Sequence, residues 1–234
     1  MSDYEHTPVL LEETVAGLNI RPGGVICDGT LGAAGHAKAI ARRLETGTII
    51  GIDRDAEAIE KAGQVLGEIN RGDLVIRIFK DNFSNMDAVF DQAGIPAADG
   101  ILLDLGMSSR HISEPSRGFS YSELGKIDMR MDRESPISGY DIINGFSEEK
   151  LIESFFRYGE ERFSRAAASA IVARRLERPI ETTTELAEII LSALPKKARY
   201  NGAGHQSVKR IFQAIRVEVN DEIGNLSKFL NKAP

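Results

Sequence analysis

One cysteine, Cys27, is all the chain carries in 234 residues, and it sits inside the apolar run VICD (25–28) rather than in a Cys-x-x-Cys pair. That excludes a disulfide framework and a cysteine-rich metal site, and leaves the thiol as a small buried hydrophobe. No stretch approaches the ~18 continuous apolar residues of a membrane span, and the N-terminus lacks the basic-then-apolar pattern of a secretion signal. These absences lead to the expectation of a cytoplasmic protein with no membrane partner and no metal. Disorder is not the default either, because 42% hydrophobic residues over this length supply a core for one domain, or for one domain with a large insertion.

A positive balance is also missing, the formal net charge being −6. The average hides two unlike stretches. Residues 1–156 carry 15 Lys/Arg against 26 Asp/Glu, whereas residues 157–210 carry 11 against 6. The later stretch is the one able to face a polyanion, although charge alone leaves equal room for a solvated helix face.

What is present is an alternation. VICD (25–28), TIIGID (48–53), VIRIF (75–79) and GILLDL (100–105) are short β-branched or leucine-rich runs of the kind that form parallel strands buried on both faces. HAKAIARRL (36–44), AEAIEKAGQVL (56–66) and SNMDAVFDQAG (84–94) lie between them with apolar residues at helical spacing. The pattern predicts a doubly wound α/β sheet. After it come about a hundred residues with helical patterns and no further convincing strand, and a helix from about Arg210 to Leu230 is expected to return the chain to the sheet. The expected division is 1–109 with 207–234 for the sheet domain and 110–206 for a helical insertion.

Asp28, Asp53 and Asp104 each fall at the carboxyl end of a predicted strand, the edge where ligands bind in open α/β sheets. Between the first strand and its helix lies DGTLGAAGH (28–36), whose three glycines, Gly29, Gly32 and Gly35, leave the backbone open to close approach. The spacing GxxGxxG departs from the dinucleotide GxGxxG. Asp53 follows Gly35 by 18 residues, a position from which a carboxylate can hold two ribose hydroxyls. An adenosine-type ligand is expected, whichever one it is. A nicotinamide dehydrogenase would use the same sheet, but the glycine spacing is wrong for it and no catalytic His or Lys pair is evident.

HTPVLLEE (6–13), DGTLGAAGH, IDRD (52–55), DGILLDLGMSS (99–109), RGFSY (117–121), DMRMD (128–132), YGEER (158–162) and FQAIRVEVN (212–220) together resemble the bacterial RsmH/MraW family. Its members are S-adenosylmethionine-dependent enzymes that methylate the N4 amine of a cytidine in 16S ribosomal RNA. The resemblance implies a Rossmann-like class I methyltransferase sheet, S-adenosylmethionine as cofactor and the small-subunit rRNA as partner. It places Ala34, Gly35 and His36 against the methionine end of the cofactor, Asp53 on the ribose, Phe83 at the adenine, and Asp104 both in the cofactor site and at the reacting amine. His111 would be a further cofactor contact. Two positions depart from the pattern: Ala34 stands where glycine is common and His111 where glutamine is.

For RNA, the insertion offers Arg117, Phe119, Tyr121, Arg130, Arg162 and Arg165 to draw out a base. Arg174, Arg175, Lys196 and Lys197 are expected to meet phosphate. The stretch 196–213 departs from the family's usual His-Pro version, so His205 finds no counterpart. Family members continue with further strands past the helix that ends here in LSKFLNKAP (226–234). From that comes the expectation of an incomplete sheet with an exposed edge, self-association, and little or no turnover, with a noncatalytic rRNA-binding protein as the alternative.

Overall fold

The computed structural model describes residues 10–69, 72–200 and 202–233; residues 6–9 of the first family-like motif lie outside them. The described chain divides into two compact units, one running to Gly106 and resuming at Gly224, the other spanning Met107–Ile223.

The first unit opens with a short helix, α1 (Leu11–Gly17), and alternates thereafter: β1 (Val25–Asp28), α2 (Gly35–Arg43), β2 (Gly47–Asp53), α3 (Ala56–Gly67), β3 (Leu74–Lys80), α4 (Met86–Ala93) and β4 (Gly100–Leu102). All pairings are parallel, in the order β3-β2-β1-β4. Alternation of side chains across the strands explains the two cores. Ile26 and Ile49 point to one face and pack with Ala37, Ile40 and Ala41 of α2 and Ala62 and Leu66 of α3. Cys27, Ile50 and Ile52 point to the other and pack with Met86 and Val89 of α4 and with Phe229. Apolar residues at every strand position are therefore required, as in any parallel sheet covered on both sides. The doubly wound α/β class expected from the sequence is observed. Strand order reverses between β2-β1 and β1-β4, so the carboxyl end of β1 is the topological switch point where such sheets bind ligands.

The second unit is helical: α5 (Ser109–Ser113), α6 (Gly139–Gly145), α7 (Glu148–Arg157), α8 (Ser164–Arg175), α9 (Thr183–Ala193), α10 (Lys196–Tyr200) and α11 (Ala203–Val219). Its core gathers Phe119, Ile127, Met129, Leu151, Phe155, Ile171, Leu186 and Ile215 among others. The single returning helix expected from about Arg210 to Leu230 is two helices, α11 and α12 (Glu222–Leu230). Asn220 and Asp221 separate them, the latter with φ 45°. Asn220 is buried because its side chain is committed elsewhere: its Oδ1 accepts from Met131 N at 2.8 Å and its Nδ2 donates to Met129 O at 2.8 Å. Val208, Ile211 and Ile215 of α11 belong to the helical unit's core, so the division falls at 223/224 rather than 206/207.

Among the described residues no helix is long and apolar enough to cross a membrane.

Candidate active site

The segment after β1 is pinned by its own protein. Gly29 N donates to Leu102 O and Leu31 N to Ile52 O, both at 2.9 Å, and Gly32 N donates to Asp53 Oδ2 at 2.7 Å. A Cβ on Gly29 would come within 2.6 Å of Leu103 Cδ2, so what approaches this glycine is a leucine. Gly32 has φ +51°, and a Cβ there would meet only Thr30 O, at an ordinary 3.8 Å, so its need is conformational. The expectation that the bare loop exists for close ligand approach is corrected at Gly29, where side-chain packing accounts for the glycine.

Ala34 repeats the left-handed geometry of Gly32 with a side chain. It is the N-cap of α2 at φ 64°, ψ 26°, and its methyl is fully buried with Val15, Leu31 and Ile40. The next turn places His36, buried, with Nδ1 3.9 Å from Asp104 Oδ2. Asp104 itself lies two residues past the end of β4 rather than on a strand, its backbone N donating to Thr30 Oγ1 at 2.6 Å. Its side chain is 52% exposed, and among the described residues neither carboxylate oxygen accepts a hydrogen bond.

Asp28 is the counterpart to that exposure. It is buried, Oδ1 accepts from Thr30 N at 3.2 Å, and Oδ2 has no hydrogen-bond partner among the described residues. Burial pushes its carboxyl up to about 7, the nearby charges of Asp53 and Asp104 adding to the rise and the Thr30 amide opposing it. His36 Nε2 is a second buried atom without a partner. Each such orphan costs roughly 1–3 kcal/mol unless something outside the chain completes it. Asp53 differs again: besides Gly32, its Oδ1 accepts from Asp55 N at 2.9 Å. The residue expected to hold a ligand also holds the loop, a role the sequence did not signal.

Phe83 opens a 3₁₀ turn (Phe83–Asn85) and is buried in the core. Its ring meets that of Phe229 edge to face at 5.9 Å, and Ser84 Oγ donates to Asn225 Oδ1 at 3.1 Å. Thus the structure brings Asp28, Ala34, Gly35, His36, Asp53 and Asp104 to one sheet edge, with Phe83 beside Gly29. His111 falls in the helical unit. There it accepts from Ser108 N through Nδ1 at 3.2 Å, closing a capping box, and stacks on Phe119 at 4.7 Å.

Most of the cations and aromatics expected to meet RNA are framework. Arg117 is buried, donating to the carbonyls of Arg130 and Met131 at 3.1 and 3.0 Å. Arg130 grips Asp128 with two bonds of 2.9 and 2.8 Å; desolvation works against the ionised form of Asp128, but the guanidinium holds that carboxyl below its ordinary range. Phe119 is buried and Tyr121 packs on Phe212. Arg174 pairs with Glu185 at 2.8 Å, and Arg175 donates to the carbonyls of Ile143 and Phe146. Arg162, Arg165, Lys196 and Lys197 are exposed.

Residues 3–234 match the MraW methylase family. The protein named "Ribosomal RNA small subunit methyltransferase H" from Lachnospira eligens is 46% identical over 230 residues, which are 98% of this chain and 71% of that one. Its namesake from Clostridium botulinum strain Loch Maree is 47% identical over 227 residues, 97% and 71% of the two chains. "Ribosomal RNA small subunit methyltransferase H 2" from Agathobacter rectalis is 48% identical over 223 residues, 94% and 69% of the two chains.

Proposed function

The chain belongs to the MraW methylase family, and from that premise we propose that it transfers a methyl group from S-adenosylmethionine to the N4 amine of a cytidine in the 16S rRNA of the small ribosomal subunit. The observation that carries this reading is the gathering of Asp28, His36, Asp53 and Asp104 around one loop at the switch point of the sheet, with two buried polar atoms, Asp28 Oδ2 and His36 Nε2, left without partners. A ligand bearing cationic and polar groups fits that need. The names of the relatives support rRNA as the substrate class.

When bound, S-adenosylmethionine supplies an electrophilic methyl on a sulfonium. The chain's own residues bind and orient. Asp53 accepts two backbone amides of its own loops, which fixes its carboxylate at the sheet edge, where it is assigned to the ribose hydroxyls. Ala34, Gly35 and His36 serve the methionine end, and Phe83 presents an apolar face to the adenine. His111 takes no part in this reading, since its Nδ1 and ring face are engaged within the helical unit.

Asp104 is assigned to the amine. A cytosine amine is a poor nucleophile because its lone pair is delocalised into the ring, so a carboxylate accepting one N–H restores density on nitrogen as the bond to carbon forms. Half exposed and free of hydrogen bonds at both oxygens, Asp104 is equipped for that task. A paired base cannot reach it, so the substrate cytidine is unpaired or flipped.

Methyl transfer to small subunits from cells lacking the modification, with mass mapping of the product, tests the reading. Wild type is expected to label one cytidine at N4. Asp104→Asn is expected to lose at least ~100-fold in rate with an unchanged unfolding midpoint. Label on another base, or an Asn variant within a few-fold of wild type, overturns it; rRNA binding without any transfer returns the noncatalytic alternative.

A further inference from the structure

Helix α11 has an exposed face of His205, Gln206, Lys209, Arg210 and Gln213, and from residue 202 to residue 217 the sequence contains no Asp or Glu. The loop between α7 and α8 is built against it. Gln213 Nε2 donates to Tyr158 O at 3.2 Å. Gly159 lies so close to α11 that a Cβ there would meet Arg210 O at 2.6 Å. Arg210 also lies 3.9 Å from the fully buried carboxylate of Glu161. Beyond this junction the chain presents Arg162, whose guanidinium sits over the Phe163 ring at 4.6 Å rather than on a carboxylate, and Arg165 in the first turn of α8. The next exposed positions of α8, Ala166, Ser169 and Ala173, are small and uncharged. From Arg157 to Leu176 the one exposed carboxylate is Glu160.

Arg162, Arg165 and Lys209 make no hydrogen bond or ion pair among the described residues, in contrast to Arg117, Arg130, Arg174 and Arg175. Long cationic side chains on a stable scaffold, without carboxylates to neutralise them, create a positive potential that a polyanion relieves by releasing its counterions. Exposed amides and a small-residue helix face add hydrogen-bonding and close-approach capacity without a sequence code, which is how a backbone is held rather than a base read.

We propose that the α7–α8 junction and the exposed face of α11, through Arg162, Arg165, Lys209 and Arg210, form the surface that grips the sugar-phosphate backbone of the RNA substrate. This inference rests on the rRNA reading above. It relocates the phosphate contacts from Arg174 and Arg175, which hold the helical unit together.

The test is binding of the intact chain to 16S rRNA as a function of salt, with the triple variant Arg162→Glu, Arg165→Glu, Lys209→Glu and, as control, Lys61→Glu on the exposed side of α3. Arg210 is spared because Glu161 depends on it. Each phosphate contact contributes about 0.7–0.9 to the slope of log affinity against log salt. The triple variant is therefore expected to lower the slope by about 2 and the affinity at ~100 mM salt by tenfold or more, with the same unfolding midpoint as wild type. Lys61→Glu is expected to change neither. A wild type that binds rRNA and a folded triple variant with the same affinity and slope would overturn this surface alone. A wild type that binds no rRNA overturns the surface and the function together. If the triple variant loses stability, Arg165→Ala and Lys209→Ala singly decide the matter, each expected to lower the slope by somewhat under 1.

Discussion

At the edge of the sheet, among the described residues, Asp104 accepts no hydrogen bond at either oxygen and Asp28 has one orphaned oxygen, while Asp53 holds two amides of its own loops. In the helical unit, the arginines beside the most recognisable motifs are spent. Arg117, Arg130 and Arg175 each donate to backbone carbonyls: those of Arg130 and Met131, of Ser135, and of Ile143 and Phe146 at the end of α6. The difference follows from how each unit solves its backbone. A parallel sheet pairs its amides and carbonyls within the ladder, so side chains at its edge are available for a ligand. The long loops of residues 114–138 have no ladder, and a guanidinium with five donors is an efficient way to satisfy their carbonyls. Charge beside a motif is therefore left open at the sheet edge, whereas at Arg117, Arg130 and Arg175 it braces the helical unit.

Removing a brace is the strongest way to break that contrast. Arg117→Ala deletes the donor to one buried and one part-buried carbonyl and leaves a cavity, so a loss of about 3 kcal/mol in unfolding free energy is expected, read by urea denaturation followed by circular dichroism. Cofactor affinity measured under native conditions should remain within about twofold of wild type, a change of under ~0.5 kcal/mol. An Arg117→Ala protein as stable as wild type but weakened in rRNA binding would place Arg117 on the substrate and dissolve the distinction between the units.

The same contrast decides what could be read in the sequence. The four strands, three of the crossover helices and the aspartates Asp28 and Asp53 were legible because a sheet covered on both faces imposes an uninterrupted apolar run that stops at the ligand edge. The fourth run misled in its length: GILLDL reads as a strand to residue 105, but β4 ends at Leu102, because Leu103 is apolar in order to pack over Gly29. Asp104 is consequently a loop residue held through Thr30. The break at Asn220 was invisible for a different reason. Val217, Val219, Ile223 and Leu226 continue a helical apolar rhythm across it, while the groups that bury Asn220 are the backbones of Met129 and Met131, some ninety residues away. Likewise nothing near Arg174 in the sequence announces Glu185 as its partner. Local pattern reports which face is buried; it does not report which long-range polar partner a side chain will find.

A smaller effect sharpens the account of the sheet edge. Asp28 has its carboxyl raised to about 7, so the folded chain holds a proton there that the unfolded chain releases in the ordinary carboxylate range. The sign follows: between pH ~4 and ~7 the native state binds more protons than the unfolded state, and stability falls as pH rises through that window, then levels off. Asp28→Asn lacks this dependence. Relative to wild type it should gain stability from pH 5 to pH 8, by about 1–2 kcal/mol if the loop relaxes enough to hydrate part of the charge. Parallel denaturation curves for the two proteins across that range would show instead that Asp28 is ionised and solvated, and that the edge holds no buried orphan.

The smallest expected effect is at Ala34, where the backbone is strained in a way that both units contain. Ala34 at φ 64° and Met129 at φ 60° are buried residues in the left-handed region, a conformation that costs an L-residue about 1 kcal/mol. Glycine removes that strain at either position, yet the side chain lost is different. At Ala34 the loss is one buried methyl, about 0.8 kcal/mol, plus about 0.4–1 kcal/mol for the greater freedom of glycine in the unfolded chain. Gain and loss nearly cancel, so Ala34→Gly should shift unfolding free energy by less than ~1 kcal/mol and cofactor affinity by no more than about threefold, ~0.7 kcal/mol. At Met129 the same substitution empties a core position, and a loss of about 2–4 kcal/mol is expected. If calorimetry found instead that Ala34→Gly tightened cofactor binding tenfold or more, the alanine would be holding the loop away from its ligand. The turn after β1 would then be set by strain and not, as its hydrogen bonds to Leu102, Ile52 and Asp53 indicate, by the sheet beneath it.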